Sequence, residues 1–99
     1  MIGLLLPLTV TVAIAGDIDI ATREAMRQAL TAPLGSGPVH LEVDLSSVTF
    51  MDCSGLGVLL GVRWECEQDG GSMSLRAPSG AVRMLTETLG LGEVLRAEP

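Results

Sequence analysis

Asp52, Cys53 and Ser54 bring a carboxylate, a thiol and a hydroxyl into one short turn, followed by Gly55 and Gly57. Residues of these types favour the start of a helix, where free backbone N–H groups and the positive end of the helix dipole can hold negative charge or favour its creation. Two chemistries fit such a place. A hydroxyl there can carry a phosphate, and a thiol there is drawn toward the reactive thiolate. Each has a plainer counterpart: Ser54 as a helix cap, and Cys53 as a small stand-in for serine with Asp52 opposing its ionisation.

Other chemistry-bearing residues form no comparable set. Asp17 and Asp19 flank Ile18 ahead of a helical pattern, where they either cap or contact something outside the chain. His40 precedes a strand with no Ser, Cys or carboxylate at motif spacing and reads as a loop or edge residue. One His and two well-separated Cys indicate no metal site. Gly55, Gly57 and Gly61 run G-x-G-x-x-x-G, one place off the dinucleotide fingerprint, so no cofactor is expected. Paired carboxylates for acid–base catalysis lack a cleft in so short a chain, and no enzyme activity is expected.

The elements that position these residues follow from periodicity. Leu41, Val43 and Leu45 alternate with Glu42 and Asp44, a half-buried strand. It leads through Val48 and Phe50 into the turn, and Leu59, Leu60, Val62 and Cys66 then recur at helical spacing. Residues 9–15 alternate as a strand ending at Gly16, with an apolar stretch at 2–6 as its expected antiparallel neighbour, turned back at Pro7. Ala25, Met26, Ala29 and Leu30 oppose Arg23, Glu24, Arg27 and Gln28 on an amphipathic helix. Asp69-Gly70-Gly71 signals a left-handed helix end, residues 72–77 a strand, and Pro78-Ser79 the start of a third helix striped by Val82, Leu85 and Leu89. Strands alternating with helices predict an α/β fold: a small, mixed, mostly parallel sheet with about three flanking helices.

Size and composition set the outer limits. Ninety-nine residues suit one domain, and an apolar fraction of 47% with one Phe, one Trp and no Tyr predicts an aliphatic core. Six Arg and no Lys stand against twelve acids, and the resulting net charge of -6 disfavours nucleic-acid binding. Cys53 and Cys66 on one helix would stand about 20 Å apart, against a limit of about 7 Å for a bridge. Two free thiols fit a reducing cytoplasm. The apolar opening has no basic leader and no room for a membrane span, so no membrane insertion is expected.

The junction Phe50-Met51-Asp52-Cys53-Ser54-Gly55-Leu56-Gly57-Val58 resembles the phosphorylation-site segment F-M-D-S-S-G-L-G-V of the STAS domain family, the anti-sigma factor antagonists. Gly16-Asp17-Ile18-Asp19 resembles that family's G-E-L-D segment, and Gly70-Gly71 and Pro78 to Val82 resemble its third strand and helix start, so the likeness spans nearly all of residues 1–99 as a single STAS domain. The resemblance implies an antagonist that binds an anti-sigma serine kinase by partner switching and frees a sigma factor. The implied contact surface is Asp17, Asp19, Asp52, Cys53, Ser54, Gly55, Leu56, Gly57 and Val58, and Leu56 and Val58 are its apolar anchors if they do not belong to the core. The family's phosphorylated serine stands here as Cys53, so phosphorylation either moves to Ser54 or is lost. Two alternatives are an accessory STAS subunit of a lipid-transport ABC system and a thiol-based sensor at Cys53. The oligomeric state is left open.

Overall fold

In the computed structural model, residues 8–35, 37–90 and 97–98 are described. The elements run β1 (Leu8–Ile18), α1 (Arg23–Thr31), β2 (Val39–Met51), α2 (Cys53–Gln68), β3 (Ser72–Arg76), α3 (Gly80–Thr88) and β4 (Ala97–Glu98). The strands lie in the order β1-β2-β3-β4, and every described ladder is parallel. Parallel neighbours need crossovers, which the helices supply. The antiparallel partner expected at residues 2–6 lies outside the described residues.

Leu41, Val43 and Leu45 are fully buried, as their alternation requires. Beyond Leu45 the buried positions fall at Val48 and Met51, a spacing of three. The ladder explains the change: Ala13 pairs with Asp44 but Ala15 with Ser47, and Gly16 with Val48 but Asp17 with Phe50. At each shift β2 carries one extra residue, a bulge that turns the following side chains to the other face. Gly16, expected to end β1, instead sits at φ +86° beside the second shift, and the strand continues to Ile18.

The core joins Ile14, Ile18, Met26, Leu30, Leu59, Val62, Cys66, Leu75 and Val82 to the inward side of β2. Each fully buried leucine contributes about 1.5–3 kcal/mol of transfer free energy. The other side of β2 is polar. Thr11 donates to Glu42 at 3.1 Å, with Arg76 3.9 Å from the same carboxylate. His40, expected in a loop or at an edge, lies within β2 with Ser72 at Nδ1 and Ser74 at Nε2.

The helix ends follow their local sequence. At the end of α2, Gly70 adopts φ +81°, and the N–H groups of Gly71 and Gly70 donate to the carbonyls of Cys66 and Glu67 at 2.8 and 3.1 Å, closing a Schellman motif. A Cβ on Gly71 would lie 2.0 Å from the Val39 carbonyl oxygen, so only glycine fits between helix and strand. Ser79 caps α3, accepting from the Val82 N–H at 3.4 Å. In α3 Val82 and Thr86 are buried, while Leu89, expected in the buried stripe, is exposed.

Candidate functional site

The site grows from the end of β2. Asp52 leaves the strand in an extended conformation and is the N-cap of α2: its Oδ1 accepts from the Ser54 N–H at 2.9 Å and from the Ser54 hydroxyl. The cap is therefore Asp52, while Ser54 spends its hydroxyl on the Asp52 carboxylate. That hydrogen bond is the main reason the Asp52 carboxyl titrates below the usual aspartate range. The Ser54 and Gly55 N–H groups and the Arg23 charge act in the same direction, and partial burial opposes them. The Asp52 N–H also donates to the Ile18 carbonyl at 3.2 Å, which fastens the start of α2 to the end of β1.

This fastening brings the Asp17–Asp19 segment to the corner. The Thr49 hydroxyl donates to Asp17 at 2.5 Å. The Asp19 carboxylate accepts from the N–H groups of Ala21 and Thr22 at 2.9 and 3.1 Å, and the Thr22 hydroxyl oxygen accepts from the Asp19 N–H at 2.9 Å. All three aspartates thus hold local structure, and each keeps acceptor capacity for an outside donor.

The nine expected contact residues divide by exposure. Asp17, Cys53 and Gly57 are exposed, and Asp19, Asp52, Ser54 and Val58 are half-buried. Gly55 is buried, and a Cβ there would lie 2.6 Å from Ile18 Cγ2 and 2.9 Å from Met51 Cγ. Leu56, an anchor only if it stood outside the core, is 3% exposed and belongs to the core. Helical spacing gives the faces of α2 but not how far its flanks are covered. The apolar groups that do stand out here are Ile20, 71% exposed, and Phe50, 50% exposed. Sequence reasoning missed both: Ile20 follows Asp19 outside any periodic run, and Phe50 is turned outward by the second bulge of β2.

Between α1 and α2 a groove of about 470 Å³ runs past Arg23, Arg27, Cys53, Ser54, Gly57 and Gly61. Arg23 and Arg27 reach it from α1 and were read from sequence only as the polar side of an amphipathic helix. Cys53 and Cys66 are both free thiols, one exposed and one buried. Burial pushes the Cys66 thiol up, helped by Glu65, Asp69 and Glu67. Among the described residues there is no cluster of three or more metal-ligating side chains, and no helix long and apolar enough to cross a membrane.

Residues 7–96 match the family model described as "Mlab, STAS domain", and the chain belongs to the STAS domain family. It is 33% identical over 86 residues to the anti-sigma-B factor antagonist of Bacillus subtilis (strain 168), covering 87% of this chain and 78% of that protein. The structure of the anti-sigma factor antagonist SpoIIAA in its unphosphorylated form is similar with a TM-score of 0.75 at 28% identity, covering 98% of this chain and 85% of that one. An anti-sigma factor antagonist from Mycobacterium paratuberculosis gives 0.79 at 28% identity, covering 92% and 77%. The architecture is the STAS-type α/β fold expected from the sequence.

Proposed function

We propose that this chain is an anti-sigma factor antagonist that binds an anti-sigma serine kinase through the corner of Asp52, Cys53, Gly57 and Val58 with the Asp17–Asp19 segment. Ile20 and Phe50 take the part of apolar anchors. By occupying the kinase it leaves a sigma factor free, a regulatory role in the cytoplasm rather than a catalytic one. The observation that carries the reading is the exposed α2 start, set in a chain similar over most of its length to proteins named as such antagonists.

The same geometry supports loss of the phosphorylation switch. Cys53 occupies the exposed position and offers no hydroxyl. Ser54 is half-buried and donates to Asp52, so a phosphate there would set about 1.5–2 further negative charges against a carboxylate already in contact. Binding is then set by concentration alone.

Incubation with the cognate kinase and ATP, followed by intact-mass measurement, tests this. The chain should gain no phosphate, whereas Cys53→Ser should gain one. A phosphate on the unaltered chain that disappears in Ser54→Ala overturns the loss of switching. Gly57→Arg tests the interface separately, because a Cβ at Gly57 meets nothing within 4 Å and the fold should tolerate it. Kinase affinity should fall at least tenfold by calorimetry, and unchanged affinity rejects the corner as the contact.

A further inference from the structure

The turn between β1 and α1 leaves Ile20 71% exposed on a backbone that is fixed from both sides. The Asp19 carboxylate accepts from the Ala21 and Thr22 N–H groups, and the Asp19 carbonyl accepts from the Arg23 N–H at 2.9 Å. Asp19 thus serves the free N–H groups at the start of α1. Thr22 stands at the N-cap position, where a threonine ordinarily accepts from an N–H of the first turn. At φ −106° and ψ −11° it makes no such bond. Its hydroxyl is turned back instead, accepting from the Asp19 N–H at 2.9 Å and donating to the Asp17 carbonyl at 2.9 Å. The base of the turn is fastened in its turn: the Thr49 hydroxyl donates to Asp17, and the Asp52 N–H donates to the Ile18 carbonyl. Asp17 is also the ladder partner of Phe50, so Ile20 projects from the same corner as that ring.

We propose that Thr22 is a positioning residue of the contact surface: its hydroxyl holds the 19–22 turn so that Ile20 meets the kinase in the orientation it already has in the free chain. This rests on the reading of the corner as the kinase contact. A segment that must be ordered on binding weakens a complex by the entropy it loses, and one fixed beforehand does not. An apolar anchor that dominates a contact fills a pocket on its partner, so a small error in its direction is felt. Thr22 acts only through the turn, because both of its hydroxyl bonds run to the chain's own backbone. Without the hydroxyl, the bonds of Asp19 to Ala21, Thr22 and Arg23 remain and α1 should start where it does now. The Asp19 N–H and the Asp17 carbonyl would turn to water, which an exposed site allows, so the turn loosens while the core stands.

Calorimetry with the cognate kinase and amide hydrogen exchange on the free chain test this. Thr22→Val keeps the shape of the side chain and removes the hydroxyl. Exchange at the Asp19 amide should quicken about tenfold. Kinase affinity should fall about tenfold, and Thr22→Ser should restore both. Because Thr22 acts through Ile20, Thr22→Val should cost nothing further in an Ile20→Ala chain and its full effect in a Phe50→Ala chain. A threonine that only stabilises the fold would lower the urea midpoint and leave the affinity of the folded chain alone, which overturns the proposal. Equal losses in Ile20→Ala and unaltered chains overturn it too, as do unchanged exchange at Asp19 and a Thr22→Ser chain that binds as weakly as Thr22→Val. Ile20→Ala keeps every bond of the turn and should weaken binding at least as much as Thr22→Val, so an unchanged affinity there rejects the proposal whatever Thr22→Val does. Gly57→Arg separates this from the reading it rests on. If that variant binds normally, the corner is rejected and the role of Thr22 with it; if it loses binding while Thr22→Val does not, the role of Thr22 alone is rejected.

Discussion

α1 and α2 pack side by side, and their inner faces are built alike: Met26 and Leu30 in one, Leu59, Val62 and Cys66 in the other, all buried. Their outer faces differ. α1 shows water Arg23, Glu24, Arg27 and Gln28, with Arg27 Nε donating to Glu24 at 3.0 Å, and its exposed Ala25 and Ala29 are strong helix formers. α2 shows water Gly57, Gly61 and Trp64, with Leu60 half-covered. Each glycine in a helix interior costs about 0.5–1 kcal/mol relative to alanine. At Gly55 that cost is repaid inside the domain, where only a hydrogen fits against Ile18 and Met51. At Gly57 and Gly61 no contact among the described residues offsets it. α1 shows solvent a charged, ion-paired face, whereas α2 shows it two glycines and an indole beside its acidic groups.

The largest test asks whether the inner faces are in fact equivalent. Leu30 and Leu59 are both fully buried, so Leu30→Ala and Leu59→Ala should each cost about 2–5 kcal/mol in urea unfolding. A loss below about 1 kcal/mol for either would break the equivalence and leave that helix loosely docked. A smaller and more pointed test contrasts two glycines two positions apart. Gly55→Ala forces a methyl into Ile18 and Met51 and should destabilise by about 1–3 kcal/mol. Gly57→Ala enters open space at helical φ and should stabilise the isolated chain by about 0.5–1 kcal/mol. Effects of the same sign would mean that α2 has no distinct outer side.

Much of this contrast was legible in the sequence, and the reasons for the gaps are local. The acid at Asp52 before an apolar helix, the glycines at 70 and 71, and Ser79 each specify a helix end by their own chemistry, and each end forms where that chemistry puts it. The alternation at Leu41, Val43 and Leu45 specifies a strand, but the two extra residues of β2 have no signature of their own, so Phe50 could not be assigned a side. Gly16 reads as a stop because positive φ usually ends a strand, whereas here it serves a register shift and β1 continues. Leu56 reads as an anchor because the motif around it is a contact surface by resemblance. Its burial depends on how α2 seats against its neighbours, which periodicity does not specify. Arg23 meets the α2 start only because the topology lays α1 beside it, a long-range fact that no local pattern contains.

The finest test compares the two helices through acid. The Asp52 carboxyl is held below its ordinary value of 3.8, chiefly by the Ser54 hydroxyl, and Glu24 below its ordinary 4.5, chiefly by its hydrogen bond to Arg27. A carboxylate whose folded value lies below its unfolded one contributes stability that is full above the unfolded value and lost as pH falls through the folded one. Both groups should therefore steepen the loss of stability below about pH 4, and Asp52→Asn and Glu24→Gln should each flatten it. The two should part company in salt. The exposed Glu24–Arg27 pair is screened, so the Glu24→Gln difference should fade at high ionic strength. The Asp52 effect rests on short-range hydrogen bonds at a half-buried cap and should persist. Urea midpoints at about pH 6 and about pH 3, at low and high salt, measure both. If Asp52→Asn keeps the acid slope of the unaltered chain, the charge of that cap does not hold the start of α2. If its effect fades with salt as Glu24's does, the two helix starts are held in the same way and the contrast between them is confined to Gly57, Gly61 and Trp64.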